Sequence, residues 1–148
     1  MIFQQNTKFL VWKQEYSVGI EHLDSQHQQL FTIINSLYDA IIEGSASHMV
    51  SEVLASLQEY TIFHFKEEER LMKLHQYPDI LEHEKAHSFL IQKNDYLAGQ
   101  YKNHSADISR ELFQLLKFWW TSHITGMDKK YSPYLAGPKT PDEHTMKG

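Results

Sequence analysis

The sequence predicts an all-α protein, an up-down-up-down four-helix bundle with an N-terminal arm and a short C-terminal helical turn. Three observations predict it. Apolar residues recur at helical spacing in four stretches of about 20 residues each. Glycine, proline and short polar runs separate these stretches. Nothing alternates with a period of two for long, so strands are not expected. Helices of this length joined by short loops favour antiparallel neighbours.

The first stretch spans residues 20–43, with Ile20, Leu23, His27, Leu30, Phe31, Ile34, Leu37, Tyr38 and Ile41 at helical spacing and Gly44 as the C-terminal stop. Ser45 or Ser47 is a candidate cap for a second helix that runs to about residue 75. Val50, Val53, Leu54, Leu57, Tyr60, Thr61, His64, Glu68 and Leu71 lie along one side of it. Tyr77-Pro78 breaks the chain, and proline suits the start of a third helix over residues 78–97, which Gly99 and QYKNHSAD are expected to close. Ser105 or Asp107 opens the fourth, through Ile108, Leu112, Leu115, Leu116, Trp119, Trp120, His123 and Ile124, with Gly126 as its end. A last turn is expected over residues 129–135.

These elements divide the chain into an arm (1–18), the bundle (19–136) and a polar, flexible tail (137–148). The aromatics Phe3, Phe9, Trp12 and Tyr16 suit an arm packed against the bundle rather than a loose leader.

Composition narrows the function. A chain of 148 residues with 41% hydrophobic content can bury one core. The absence of cysteine removes disulfides, thiolate metal sites and thiol nucleophiles. The net charge of −5 gives no support to a nucleic-acid or anionic-membrane surface. No run approaches the roughly 18 apolar residues of a membrane span. The opening MIFQQNTKFLVW makes a poor secretion signal, so the expected compartment is the cytoplasm.

The chemistry lies in the histidines. Ten of them make chance pairs cheap, and His48-xxx-Glu52 has the same form as His64-xxx-Glu68. Bundle geometry sorts them. Antiparallel helices meet at one level early in the first, late in the second, early in the third and late in the fourth. His27, His64, Glu68, His83, His87, His123 and Asp128 occupy those places. At a rise of ~1.5 Å per residue they fall within a few turns of one end. His48 and His104 lie at the other end, His75 is too far along, His22 is on another face, and His144 is in the tail. These five are expected to meet solvent or ordinary hydrogen-bond partners.

Imidazole and carboxylate together suit a first-row metal such as iron, manganese or zinc. Seven donors exceed one ion's needs, which suggests two metals with shared carboxylates. The bland alternative, a buried set of polar groups without a cation, carries too large a desolvation penalty.

The stretches WKQEYSVGIEHLDSQHQQLF, HFKEEERLM, YPDILEHEKAH and WWTSHITGMDKKYSPYL carry the order H…HxxxE…HxxxH…HxxxxD without gaps. In this the chain resembles the hemerythrin family, specifically its prokaryotic single-domain members. The handful of spacings is far more specific than any one pair, and the likeness extends from Trp12 to about Leu135. The resemblance implies reversible O2 binding at a non-haem di-iron centre. It implies that His83, His87 and His123 hold one iron, that His27 and His64 hold the other, and that Glu68 and Asp128 bridge them together with an oxide or hydroxide. One coordination position then stays open on the iron of His27 and His64, where O2 binds in the family. Leu23, Phe31, Tyr60, Trp119 and Trp120, each near a ligand, are the expected walls of a dry O2 pocket. Many family members have a smaller aliphatic residue where this chain has Trp120.

The leading expectation is therefore O2 binding for storage, delivery or sensing, and not an enzyme. The alternatives are a di-iron enzyme acting on peroxide or nitric oxide, or iron buffering. O2 is the one partner expected. A protein partner for delivery or signalling is left open.

Overall fold

Among the described residues the helical periodicity is realised in four long helices, two short helical turns and one short helix. The computed structural model describes residues 8–102 and 109–136. A 3-10 turn at Gln14–Tyr16 precedes α1 (Glu21–Ile42), α2 (Ser47–Leu74), α3 (Ile80–Lys102) and α4 (Ser109–His123). A π-helical turn, Ile124–Asp128, leads into α5, Lys129–Leu135. No strand occurs among the described residues. Each long helix packs on the next and α4 returns to α1, which closes the bundle. No helix among the described residues is long and apolar enough to cross a membrane.

The core follows the apolar stripes. Leu23, Leu30, Ile34 and Leu37 of α1 face Val50, Leu57, Phe65 and Met72 of α2, Leu90 and Leu97 of α3, and Leu112, Leu116 and Trp120 of α4, all buried. α3 is the exception in kind. Three of its five buried residues, His83, His87 and Asn94, are polar, so its inward face needs polar partners rather than oil.

Residues before α1 are held by specific bonds. The Asn35 side chain accepts from the Leu10 amide at 2.7 Å and donates to the Leu10 carbonyl at 2.9 Å. Asp24 accepts from the Ser17 hydroxyl at 2.5 Å and from the Val18 amide at 2.8 Å. Phe9 stacks on Tyr38 at 4.5 Å, and Trp12 and Tyr16 meet Phe31 edge-on. Phe3 and the tail 137–148 lie outside the described residues, as do Ser105, Asp107 and Ile108.

Three sequence expectations about helix ends are corrected. Neither Ser45 nor Ser47 caps α2: the capping position is Ala46, which has no side chain able to accept a hydrogen bond. Gly99 does not close α3, which continues to Lys102 because Ala98 and Tyr101 keep packing on the core. Gly126 does not end the helical path either. The chain passes through it as a π turn and on into α5.

Two helix ends share one motif. After α1, the Ser45 amide donates to the Ala40 carbonyl and that of Gly44 to Ile41, with Gly44 at φ 73°. After α2, the Tyr77 amide donates to Met72 and that of Gln76 to Lys73, with Gln76 at φ 54°. Both are left-handed C-terminal caps, a conformation in which any residue with a Cβ is strained. Gln76 is exposed, so nothing else holds its side chain. Gln76→Gly should therefore stabilise the fold by about 1 kcal/mol, a rise in Tm of roughly 2–4 °C at this chain length. Thermal unfolding of the metal-free protein measures it, and an unchanged or lower Tm counts against strain at this cap.

Candidate metal centre

Four helices and the π turn bring seven polar side chains to one end of the bundle interior. His27 comes from α1, His64 and Glu68 from α2, His83 and His87 from α3, His123 from the end of α4, and Asp128 from the π turn. All seven are buried, none more than 4% exposed. Spacing of four places His64 with Glu68, and His83 with His87, on one face. The spacing of five from His123 to Asp128 needs another device. On an α-helix it would turn Asp128 about 140° from His123. The π turn accommodates the extra residue and returns Asp128 to the interior.

The donor atoms fall into two groups that share both carboxylates. Glu68, His83, His87, His123 and Asp128 form one, and His27, His64, Glu68 and Asp128 the other, each with donor atoms mutually within 4.8 Å. Glu68 points Oε2 at His27 and His64, at 3.3 and 3.2 Å, and Oε1 at His87, at 3.1 Å. Asp128 points Oδ2 at His27, at 3.0 Å, and Oδ1 at His83 and His123, at 2.8 and 3.0 Å. Each carboxylate thus offers one oxygen to each group, the disposition a bridging ligand needs.

Five of these atoms test the fit to a cation. The Nε2 atoms of His27, His64 and His87, Glu68 Oε1 and Asp128 Oδ2 are buried without a hydrogen-bond partner. They approach their neighbours closely yet at angles that make no hydrogen bond. Donor atoms so arranged converge on points between the side chains, where a cation would satisfy several at once. His83 Nε2 and His123 Nε2 lie 3.1 Å apart, a distance that calls for a proton or a cation between two lone pairs. The donor set therefore fits metal ions.

The electrostatics have the same origin. Burial alone would lower the pKa of His27, but its contacts with Asp128 and Glu68 raise it from 6.5 to about 9. Burial likewise disfavours charged His87, and Glu68 with Glu69 raises it to about 9. His64 is lowered, because its burial outweighs the pull of Glu68. Burial opposes charge on Glu68, yet the surrounding histidines hold it well below the ordinary range. Asp128 is lowered too: burial and the Glu68 charge oppose its ionisation, and His123 and His27 overcome them.

Several contacts around the cluster carried no signal in single-helix spacing. Gln26, buried, accepts from His64 Nδ1 at 2.7 Å. Glu69 accepts from His87 Nδ1 at 2.8 Å. Tyr131 of α5 donates to Glu68 Oε2 at 2.5 Å. Phe65 stacks on His87, with 3.7 Å between ring centres.

Of the residues expected to wall a gas pocket, Trp120 is fully buried, with its ring 6.3 Å from His27 and 6.0 Å from His64. Trp119 stacks on His123 at 4.2 Å. Leu23 is fully buried in the core. Phe31 lies against Trp12 and Tyr16, and half-buried Tyr60 lies against Phe63. His22 is 57% exposed and pairs with Glu67, His48 and His75 are exposed, and His104 and His144 fall outside the described residues. An apolar groove lined by Phe9, Tyr38, Ile41, Phe113 and Phe118 shares no residue with the cluster.

Comparison with known proteins agrees with this geometry. The family pattern described as "Hemerythrin HHE cation binding domain" matches residues 18–135. The chain is 33% identical over 122 residues to a bacteriohemerythrin of Pseudomonas aeruginosa, covering 82% of this chain and 78% of that one. It is 32% identical over 125 residues to a myohemerythrin of Riftia pachyptila, covering 84% and 92%. Among solved structures, wild-type hemerythrin superposes with a TM-score of 0.80 at 26% identity, over 86% of this chain and 98% of that one.

The raised histidines give metal uptake a pH dependence of definite sign. His27 and His87, each near 9 rather than 6.5, carry protons at neutral pH in the metal-free protein. Their contribution to the metal-free fold is full below 6.5 and is lost as pH rises through about 9. A metal taking those nitrogens must expel the protons. Metal affinity should therefore climb up to a pH of about 9, by as much as about tenfold per unit for each histidine. Zinc competition against a chelator across this range, with proton release measured at neutral pH, checks it. A flat profile would remove protonated His27 and His87 from the site.

Proposed function

The chain belongs to the hemerythrin HHE cation-binding family, and from that premise we propose that it binds O2 reversibly at a non-haem di-iron centre. The observation that carries the proposal is the sharing of Glu68 and Asp128, one oxygen each, between two groups of buried donors. In this reading His83, His87 and His123 would hold one iron, His27 and His64 would hold the other, and Glu68 and Asp128 would serve both. Two irons supply, when bound, the two electrons that reversible capture of O2 requires.

The protein's part is arrangement and exclusion. The subsite of His27 and His64 has one fewer histidine than its neighbour, which leaves it the room for O2. Trp120 packs over these two imidazoles and keeps that side apolar. An apolar wall slows the water and proton entry that would convert bound O2 irreversibly. Five neutral imidazoles against two carboxylates favour binding over oxidation of a substrate, since fewer anionic donors stabilise high oxidation states less. We propose storage, delivery or sensing of O2 as the use of this chemistry.

Iron-replete protein should contain two irons per chain by metal analysis and show a visible band that air induces and deoxygenation removes. His64→Ala and His87→Ala should lose metal and band, whereas His48→Ala and His75→Ala should keep both. One iron per chain, or loss of iron in the His48 variant, contradicts the reading.

Trp120→Leu should speed O2 exchange and autoxidation while retaining two irons, because it removes most of the wall over His27 and His64. Stopped-flow O2 binding and decay of the oxygenated band measure the two rates. Unchanged rates would make Trp120 plain core packing.

A further inference from the structure

The two donor groups differ in what holds the outer nitrogen of a ligand. In the group of His27 and His64, His64 Nδ1 donates to the Gln26 side-chain oxygen at 2.7 Å, a neutral acceptor. In the other group, His87 Nδ1 donates to the Glu69 carboxylate at 2.8 Å, an anionic one. Both contacts cross between helices: Gln26 sits on α1 and serves α2, and Glu69 sits on α2 and serves α3. Each fixes its imidazole in the tautomer that presents Nε2 to the interior.

Neither acceptor is incidental. Gln26 is only 5% exposed, and its amide nitrogen lies 3.3 Å from His22 Nε2. The amide oxygen faces His64 Nδ1. The same His22 nitrogen lies 3.0 Å from Glu67, which Arg70 also engages at 2.8 Å. Glu69 keeps 26% of its side chain in solvent, which lessens the cost of its charge beside the core.

The acceptor's charge alters the ligand. A carboxylate draws the Nδ1 proton towards itself, gives the ring imidazolate character and makes Nε2 a stronger donor. A stronger donor favours the ferric over the ferrous ion. A neutral amide orients the ring with far less of this effect.

We propose that Gln26 and Glu69 are positioning residues that give the two subsites different donor strength, the neutral amide leaving the His27–His64 subsite the more easily reduced and the carboxylate making the His83–His87–His123 subsite the more firmly held. The inference rests on the di-iron reading above. It explains why one acceptor is an amide and the other an acid, which orientation alone does not require.

Opposite exchanges test it on the full-length protein. Gln26→Glu adds an anionic acceptor to His64, and Glu69→Gln removes one from His87. Zinc, which has no redox chemistry of its own, reports donor strength by chelator competition. Affinity should rise in Gln26→Glu and fall about tenfold in Glu69→Gln. Redox titration of the iron-loaded protein, one electron per iron from an added reductant and followed by the visible spectrum, should move in opposite directions. Gln26→Glu should be harder to reduce and Glu69→Gln easier. A tenfold change in ferric over ferrous preference corresponds to about 59 mV for a one-electron couple.

A merely structural role predicts loss of affinity in both variants and no opposed shift in potential, and that outcome overturns the inference. If Gln26→Glu fails to load metal, Glu69→Gln decides alone: an unchanged or lowered potential sinks the proposal. Failure is separable from failure of the function reading. Wild-type protein that binds two irons while the variants show no opposed shifts removes only this inference. Wild-type protein that takes up no iron removes both.

Discussion

Two carboxylates with no exposure to water, side by side in the end of an apolar bundle, are the constraint on which the rest depends. Glu68 and Asp128 are each fully buried. Each raises the cost of ionising the other, as the Glu68 charge does for Asp128. Such anions persist only with positive charge between them. In the metal-free protein the protons of His27 and His87 supply part of it. Metal ions at the same points would supply more. His27 and His87 therefore serve either state, as acids that carry protons or as bases that hold metal, and this exchange couples metal uptake to pH.

The bundle can host this cluster because each helix spends only its end on it. α1 buries Leu30, Ile34 and Leu37 beyond His27, and α2 buries Val50, Leu54 and Leu57 before His64. The apolar half of each helix provides the stability that the polar half does not. α3 has the least apolar face, and its place depends on what its histidines meet. Loss of His83 or His87 should thus trouble packing as well as chemistry, whereas His123 sits on a helix already held by Leu112, Leu116 and Trp120.

Much of this was legible in the sequence, and the limits have physical causes. Periodicity gave four helices because their buried stripes are long. Level in an antiparallel bundle selected seven residues that the fold does bring together, and separated them from His22, His48 and His75. What spacing could not reveal is any contact whose two ends lie on different helices. Gln26 is next to His27 in sequence yet meets His64, and Glu69 is next to Glu68 yet meets His87. The helix ends failed for another reason. Gly99 and Gly126 resemble stops, but packing of Ala98 and Tyr101, and of Ile124 and Asp128, carries the chain through them. The exchange of an α for a π turn is invisible to a period count.

That π turn is where fold and site are joined. Asp128 reaches the interior only because the chain takes one extra residue there, and α5 then continues directly from it. α5 is short and contains Pro133, so it cannot hold itself in place by its own hydrogen bonds. Its anchors are Tyr131 on Glu68, at 2.5 Å, and Ser132 on the Val18 carbonyl, at 2.6 Å. Val18 in turn donates to Asp24 at the start of α1. A continuous set of bonds thus runs from the first turn of α1 through the last helix to the carboxylate shared by both donor groups. Tyr131 is itself pushed well above its ordinary pKa by burial and by the Asp128 and Glu68 charges, so it stays a donor wherever Glu68 stays an anion. The shared carboxylate is therefore oriented from its outer side by a phenol that keeps its proton, which leaves Glu68 Oε1 for the group of His87 and fixes Oε2 between His27, His64 and the phenol.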